Sequence, residues 1–401
     1  MISLLLVALW IGTICVSIPA LFLSLEIIRG VQRLSSKNDP APVLDGRATD
    51  LSGLRVLIPA HNEAGQIKAL LGDLSPQIPL SQVLVVADNC DDETAIVAGT
   101  TGAMVAVRND PQKRGKAYAL AHGRAVLSAD ENVPQHVLFI DADCRVAPGT
   151  VAALMVATCT TGRPVQAEYK MLPFTDDKEA IPGQSLSAFA FFVMNSLRQR
   201  GLATLGAPAR INGTGMMIPW FSVQRLDLDH ANLAEDLEMG LEFALEGHPT
   251  LFVPEGEVAS VLPGAANQEV TQRQRWEKGS RDAQQRYAMR LLGAGMRGRR
   301  PLLYALLDLW VPPVLKLIFF FGSASILSVV ALTFGVSGPF FILFCVGLIL
   351  GISLLRGAAA YNEDAIAPLS LRDLKAFLAL KLKVTQAGEA KEWVRTAREK
   401  D

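Results

Sequence analysis

A pair of aspartates, Asp141 and Asp143, follows the apolar run 137–140 and is the clearest sign of chemistry in the sequence. Two carboxylates spaced in this way at the end of a strand present hard oxygen ligands to Mg²⁺ or Mn²⁺, which also binds substrate phosphates. A solvated turn is the alternative when the pattern stands alone. Its place directly after a buried strand favours a metal site formed by both aspartates.

A second acidic pair, Glu235 and Asp236, begins a predicted helix over 237–245. One of these carboxylates could accept the proton of an attacking hydroxyl group, since a carboxylate that is ionised at neutral pH suits a general base. The alternative is an acidic first turn stabilised by the helix dipole. The residues alone leave both interpretations open.

Basic residues supply candidate partners for phosphate groups. Arg275 lies between Gln272 and Trp276 in a basic, helical stretch, where its guanidinium could stabilise a departing diphosphate while the indole stacks on a sugar ring. An amphipathic helix on a membrane surface is the alternative, and the two are compatible. Lys116, next to Gly115, is a candidate phosphate contact or a solvated lysine. The stretch 212–215 holds two glycines that allow close approach of a ligand, or form a plain turn.

The segments between these residues alternate between strands and helices. Strands are predicted over 55–58, 83–87, 104–107 and 137–140, with helices between them, which indicates an α/β fold with a parallel sheet. Three polar clusters follow strand ends: 61–63, 88–89, and the pair at 141 and 143. Ligands bind beyond the carboxyl ends of such strands. The turn after the first predicted strand lacks GxGxxG, and no GxxxxGK[ST] loop is present in the chain, which excludes dinucleotide-binding and P-loop classes.

Composition excludes further classes. The chain has 401 residues and a formal net charge of -1, so no basic field indicates nucleic acid as a partner. Half of the residues are hydrophobic and only 19% are charged, with the apolar surplus at the two ends. The five cysteines show neither CxxC spacing nor a His/Cys cluster, so a zinc site is not expected.

The apolar ends predict a multi-pass membrane protein. Basic residues follow the first apolar run and flank the second on both sides, which places the polar middle of the chain in the cytoplasm after three crossings. A cleaved signal peptide, the alternative for the first run, requires basic residues before it. The predicted order is a transmembrane anchor over 1–28, a linker over 29–52, a catalytic domain over 53–265, amphipathic interfacial helices over 266–303, a transmembrane hairpin over 304–356 and a cytoplasmic tail over 357–401.

Taken in order, these motifs resemble the inverting, membrane-bound family-two glycosyltransferases of the GT-A group, which include cellulose, chitin and hyaluronan synthases. The resemblance spans about 55–279 and implies a mostly parallel GT-A sheet with flanking helices. It rests on Pro59, Asn62, Glu63, Asp88, Asp141, Asp143, Glu235, Asp236, Gln272, Arg275 and Trp276.

The resemblance also implies roles for these residues. Asn62, Glu63 and Asp88 would contact the nucleotide, and Asp91 or Asp92 could share the role of Asp88. Asp141 and Asp143 would hold the donor phosphates and Mg²⁺ or Mn²⁺. Asp236 would be the general base, with Glu235 and Lys116 in the donor site. Gln272, Arg275 and Trp276 would line the acceptor and diphosphate site.

The membrane part departs from the family pattern, because polymer-extruding synthases have more helices than the three predicted here. Three helices hardly enclose an aqueous pore for a sugar chain. The sequence therefore predicts transfer of one sugar, favoured to be UDP-linked, to a lipid-linked saccharide in the membrane, with a β-linkage as product, in surface polysaccharide or glycolipid synthesis. A processive synthase that acts as a homo-oligomer, and a catalytically silent membrane scaffold, are the rival hypotheses.

Overall fold

The computed structural model describes residues 2–36, 50–176, 179–180, 183–228, 235–263, 266–333, 338–365, 367–370 and 375. The chain divides into two compact units. The α/β unit comprises Asn38–Ala188, Pro208–Tyr287 and Ser370–Asp401, and the helical unit comprises Met1–Lys37, Phe189–Ala207 and Ala288–Leu369. The predicted linker and most of the predicted tail lie outside the described residues.

The α/β unit contains an eight-stranded sheet in the order β3-β2-β1-β4-β9-β6-β10-β5, and a separate pair, β7-β8. The strands are β1 (Leu54–Ala60), β2 (Val83–Asp88), β3 (Met104–Arg108), β4 (His136–Phe139), β5 (Arg145–Val146), β6 (Val165–Leu172), β7 (Thr175–Asp176), β8 (Glu179–Ala180), β9 (Met216–Pro219) and β10 (Leu251–Val261). The four strands predicted from the sequence are β1 to β4, and their pairings are parallel. That prediction is confirmed.

The other half of the sheet is mixed rather than mostly parallel. Strand β9 is antiparallel to both β4 and β6, and β5 is antiparallel to β10, whereas β6 and β10 are parallel. Gly215 donates its backbone N–H to the carbonyl of Phe139, so the chain enters β9 at the carboxyl end of β4 and runs back along it.

Helices cover both faces of the sheet because successive strand residues point to opposite sides. In β1, Val56 and Ile58 belong to one hydrophobic cluster and Leu57 belongs to the other. The helices of this unit, with the two that continue into the helical unit, are α2 (Ala64–Leu74), α3 (Thr94–Thr100), α4 (Lys116–Ser128), α5 (Thr150–Thr161), α6 (Gln184–Phe192), α8 (Trp220–Val223), α9 (Glu235–Glu246) and α10 (Ala266–Met296).

The helical unit contains α1 (Ile2–Ser35), a π-helical turn (Val193–Leu197) that leads into α7 (Arg198–Thr204), α11 (Pro301–Trp310), α12 (Val314–Thr333) and α13 (Gly338–Asp364). Helix α1 runs beyond the predicted anchor 1–28 and ends at Ser35. The predicted hairpin 304–356 contains three helices, because Pro312 and Pro313 separate α11 from α12.

Two helices within the described residues are long and apolar enough to cross a membrane, judged by length and composition: Leu9–Ser35 and Gly338–Glu363. In the third predicted span, α12, the apolar stretch that qualifies is the shorter Lys316–Leu327. Asp308, conspicuous in a predicted membrane segment, lies on α11, where it is 5% exposed and accepts hydrogen bonds from Arg198.

Candidate active site

The polar clusters at the ends of β1, β2 and β4 open onto one cleft of about 650 Å³ in the α/β unit. This is the size of a pocket for a small ligand. Its lining includes residues from all three strand ends and from the loop before α4: His61, Glu63, Asp88, Asn89, Arg114, Lys116, Asp141 and Asp143. The sequence-based expectation that these segments share one edge of the sheet is confirmed.

Lys116 lies at the centre of the acidic part of the cleft. Its Nζ is 2.5 Å from Asp141 Oδ1 and donates a 2.8 Å hydrogen bond to the carbonyl of Gly213. The lysine begins α4, and Gly213 lies 97 residues further along the chain. An ammonium group therefore joins the end of β4 to the turn before β9, a contact that sequence spacing does not reveal.

Asp236 lies beside the same lysine. A Cβ atom placed on Gly213 would be 3.1 Å from Lys116 Nζ and 3.2 Å from Asp236 Oδ2, so both groups border that glycine. Desolvation by the surrounding protein raises the pKa of Asp236, and the positive charge of Lys116 opposes this rise. The carboxylate that the sequence singled out as a base is thus adjacent to the Asp141 pair.

The acidic cluster holds more negative charge than Lys116 alone balances. Desolvation raises the pKa of Asp141, Lys116 opposes the rise, and the charges of Asp143 and Asp236 add to it. Three carboxylates from two distant segments of the chain therefore interact electrostatically beside one lysine. Burial also raises the pKa of Cys144, next to Asp143, which keeps this thiol neutral.

The turn before β9 is held in place by hydrogen bonds that sequence reasoning missed. Gly213 and Gly215 have φ values of 76° and 64°, which favour glycine. The backbone N–H of Asp141 donates to Thr214 Oγ1 at 3.1 Å. The buried Gln166 donates to the Thr214 carbonyl and accepts from the Asn212 N–H. The glycine pair thus shapes the turn whose Gly213 carbonyl accepts a hydrogen bond from Lys116.

Two asparagines in the left-handed region end β1 and β2. Asn62 and Asn89 have φ values of 54° and 51°. Each uses its Oδ1 to accept a backbone N–H from the next loop, Asn62 from Asp91 at 2.7 Å and Asn89 from Asp110 at 2.8 Å. Asn62, predicted as a nucleotide contact, therefore has a structural hydrogen bond, while Glu63 lines the cleft.

Asp88 is the acidic residue of its loop that faces the cleft. Its Oδ1 accepts hydrogen bonds from Arg108 at 2.5 Å and from Asn89 at 3.1 Å. Asp92, which the sequence left as an alternative, instead accepts from the backbone of Thr94 and Ala64 at the starts of α3 and α2. The structure thus distinguishes Asp88 from its acidic neighbour.

Four predicted site residues have side chains outside the described part of the chain: Glu235, Gln272, Arg275 and Trp276. Their backbone positions are described: Glu235 begins α9, and the other three lie on α10. The roles predicted for these four residues stay predictions.

The donor atoms of the cleft fit a divalent cation. Asp141 and Asp143 offer carboxylate oxygens, and the Lys116 ammonium already lies between the Asp141 carboxylate and the Gly213 carbonyl. No cluster of three or more His, Cys, Asp or Glu residues with metal-binding spacing occurs among the described residues. In Mg²⁺-type sites, one or two carboxylates act together with substrate phosphates.

The family assignment follows from the sequence over this same unit. Residues 52–279 match the family described as "Glycosyltransferase like family 2", so the chain belongs to that family and is a glycosyltransferase. None of the curated proteins matches the chain.

Solved structures with a similar fold include two glycosyltransferases. The mannosyltransferase PcManGT from Pyrobaculum calidifontis, in complex with GDP-Man and Mn²⁺, is 16% identical with a TM-score of 0.47, over 93% of this chain and 91% of that chain. Glucosyl-3-phosphoglycerate synthase from Mycobacterium tuberculosis, in complex with Mg²⁺ and UDP, is 20% identical with a TM-score of 0.40, over 57% of this chain and 78% of that chain. The assignment rests on the family match rather than on these two similarities.

Proposed function

We propose that this family-two glycosyltransferase uses a divalent cation to transfer one sugar from a nucleotide-sugar, UDP-linked in the first instance, to a lipid-linked saccharide in the membrane, with inversion at the anomeric carbon. The observation that carries this proposal is that Asp141 and Asp236 both lie beside Lys116, while Asp143 lines the same cleft as Asp141 and Lys116. A donor diphosphate requires cationic partners, and an acceptor hydroxyl requires a base; this cleft holds candidates for both.

The residues of this site have different roles in the proposed reaction. Asp88 and Glu63, on the loops after β2 and β1, bind the nucleoside. Lys116 moves from Asp141 to the donor phosphates. The acceptor hydroxyl oxygen attacks the anomeric carbon as the bond from that carbon to the diphosphate oxygen breaks, and Asp236 takes the hydroxyl proton. One in-line displacement of an α-linked donor gives a β-glycoside.

Asp143 and Asp141 are the residues that would hold Mg²⁺ or Mn²⁺. When bound, the cation would neutralise charge on the diphosphate as it departs. The carboxylates of Asp143 and Asp236 near Asp141 support this assignment, because a second cation in the cleft would offset their repulsion of the Asp141 charge.

The distribution of charge supports a membrane location. The helical unit contains eleven lysine and arginine residues against four acidic residues, a net charge of +7, which leaves -8 for the α/β unit of a chain whose total is -1. Cationic residues beside apolar helices favour the cytoplasmic surface of a membrane with anionic lipids. A lipid-linked acceptor at that surface suits an enzyme built in this way.

The test begins with donor identification. Thermal shift of the purified protein against a panel of nucleotide-sugars with Mn²⁺ should show stabilisation by one nucleotide class. That donor, with a lipid-linked saccharide acceptor in detergent, should then give a product longer by one sugar. Long polymer would contradict single transfer and support the processive hypothesis, and no turnover with any donor and acceptor pair would support the scaffold hypothesis.

A further inference from the structure

Helix α10 carries one short pattern twice. Gln274, Arg275 and Trp276 recur eleven residues later as Gln285, Arg286 and Tyr287. Eleven residues are about three turns of an α-helix, so corresponding positions of the two triplets lie on the same face of α10. The first triplet contains residues already proposed for the acceptor and diphosphate site, whereas the second has no role so far.

The second triplet binds α9, the helix that begins with Glu235 and Asp236. Arg286 donates a 2.7 Å hydrogen bond to Glu238 Oε2, and the Tyr287 hydroxyl donates a 2.9 Å hydrogen bond to Glu242 Oε1. Glu238 and Glu242 are one turn apart on the same face of α9. Two adjacent residues of α10 therefore hold two successive turns of α9.

Burial distinguishes this contact from an ordinary surface ion pair. Tyr287 is 3% exposed and Glu238 is 7% exposed. Arg286 is more open, so its ion pair alone would contribute little to stability, but the buried tyrosine hydroxyl beside it makes the contact directional. Another side of α9 packs on the hydrophobic core, where a Cβ atom on Gly240 would be 3.3 Å from the side chain of Ile211.

We propose that Arg286 and Tyr287 are positioning residues, which hold α9 at a fixed place relative to α10 and thereby set Asp236 against an acceptor bound at the first triplet. This inference rests on the proposed role of Asp236 as the base. Arg286 and Tyr287 act through helix packing, which couples the position of Asp236 on α9 to the acceptor site on α10. Neither residue touches a substrate.

The experiment compares Y287F, E242A and R286Q with the matched control Q285A, an exposed neighbour on α10. In purified full-length protein we expect kcat for transfer to fall about tenfold or more in the first three, since misplacement by ~1 Å costs up to ~100-fold. Donor affinity should stay within about twofold, because the donor residues are untouched, so hydrolysis of the donor should rise relative to transfer. Q285A should behave as wild type.

Two further variants separate the possible failures. R286E combined with E238R should regain much of the transfer rate that R286E loses. If D236N is inactive while Y287F, E242A and R286Q transfer at the wild-type rate, the positioning role is wrong and the proposed function stands. If D236N itself transfers at the wild-type rate, the proposed function is wrong. Losses of kcat that only follow losses of Tm, with an unchanged ratio of hydrolysis to transfer, would overturn the positioning role as well.

Discussion

At the scale of residues, the cleft concentrates negative charge and balances it with Lys116. Asp141 and Asp236 both have raised pKa values, chiefly from desolvation. A carboxyl group whose pKa is raised by folding stabilises the protein below its unfolded pKa, and this contribution is lost as pH rises through the folded pKa. The metal-free cleft is therefore a source of instability at neutral pH.

Substitution D236N separates stability from activity. Asparagine keeps an oxygen for the N–H of Leu237, which Asp236 accepts at 2.8 Å, and removes the desolvated charge. We expect sugar transfer to fall by at least ~100-fold and the Tm of the metal-free protein at pH 7.5 to rise by about 2 to 4 °C, the shift that ~1 kcal/mol gives in a domain of this size.

Melting curves between pH 5 and 8 check the sign of this effect. The Tm gain of D236N over wild type should be largest at pH 8 and shrink towards pH 5, where the wild-type carboxyl group is closer to protonation. A gain that grows on acidification would show that the pKa of Asp236 is lowered by folding.

The left-handed backbone at Asn89 gives a matched pair of variants. N89G and N89A both lose the hydrogen bond to the Asp110 N–H, but only alanine is strained at a φ of 51°. We expect N89A to be less stable than N89G by about 1 kcal/mol. Urea or thermal unfolding measures the difference, and equal stability would mean that the loop has another backbone conformation in solution.

The individual site residues were predictable from the sequence where a strand end marked them. Asp88, Asp141 and Asp143 each follow a run of apolar residues, and all three line the cleft. The bond from Lys116 to Gly213 was not predictable, because contact across 97 residues depends on where β9 joins the sheet. In the sequence, Gln166 is one polar residue within a strand. Nothing in the sequence indicates that its side chain hydrogen-bonds to the turn before β9.

At the scale of elements, the helical unit depends on a close crossing of helices. A Cβ atom on Gly30 of α1 would overlap the backbone of Leu197, and one on Gly201 of α7 would overlap the backbone of Glu26. The two contacts are reciprocal, four residues apart on each partner. Small residues at such positions let two backbones approach closely.

Substitutions G30A and G201A should therefore lower the Tm of the detergent-purified protein by several degrees, because the two backbones must move apart. Gly12, in the same helix α1, has open space where its Cβ would be, so G12A is the matched control and should leave the Tm unchanged or slightly higher. Equal Tm values for G30A and G12A would contradict the close crossing.

A buried charge cluster fixes the same helices. Arg198 of α7 donates to Glu26 of α1 at 2.7 Å and to Asp308 of α11, and all three residues are buried. R198M would leave two buried carboxylates without their guanidinium and should cost about 3 to 5 kcal/mol. Double substitution of Glu26 and Asp308 by their amides in the R198M background should recover part of that loss, as measured by Tm in detergent.

The helices and strands were predictable from the sequence wherever a hydrophobic period or a helix-breaking residue marked them. The parallel order of β1 to β4 follows from strands that alternate with helices, and α9 begins at the predicted Glu235. Strand β9 is antiparallel because the chain enters it beside the carboxyl end of β4. The sequence carries no signal for this entry point, so the direction of β9 was not predictable. Pro312 and Pro313 mark the break between α11 and α12 in the sequence. The apolar run that contains them was interpreted as one membrane span.

At the scale of the whole molecule, the charges and the apolar helices predict a protein held in a membrane. We expect the native protein to remain in the membrane fraction after washing with alkaline carbonate and to be released by detergent. Release of the full chain into the soluble fraction by carbonate would contradict the membrane location, and would leave the glycosyltransferase assignment of residues 52–279 intact.

The central claim is that Asp141, Asp143 and Asp236, from two distant segments of the chain, form one cation-dependent site for sugar transfer. The most direct measurement is the rate of transfer from the identified nucleotide-sugar by wild type, D143A and Q285A, each with Mn²⁺ and with EDTA. The account predicts that only wild type and Q285A with Mn²⁺ transfer sugar, and that EDTA or D143A lowers the rate by at least ~100-fold. Transfer by D143A at the wild-type rate, or transfer that survives EDTA, would contradict it.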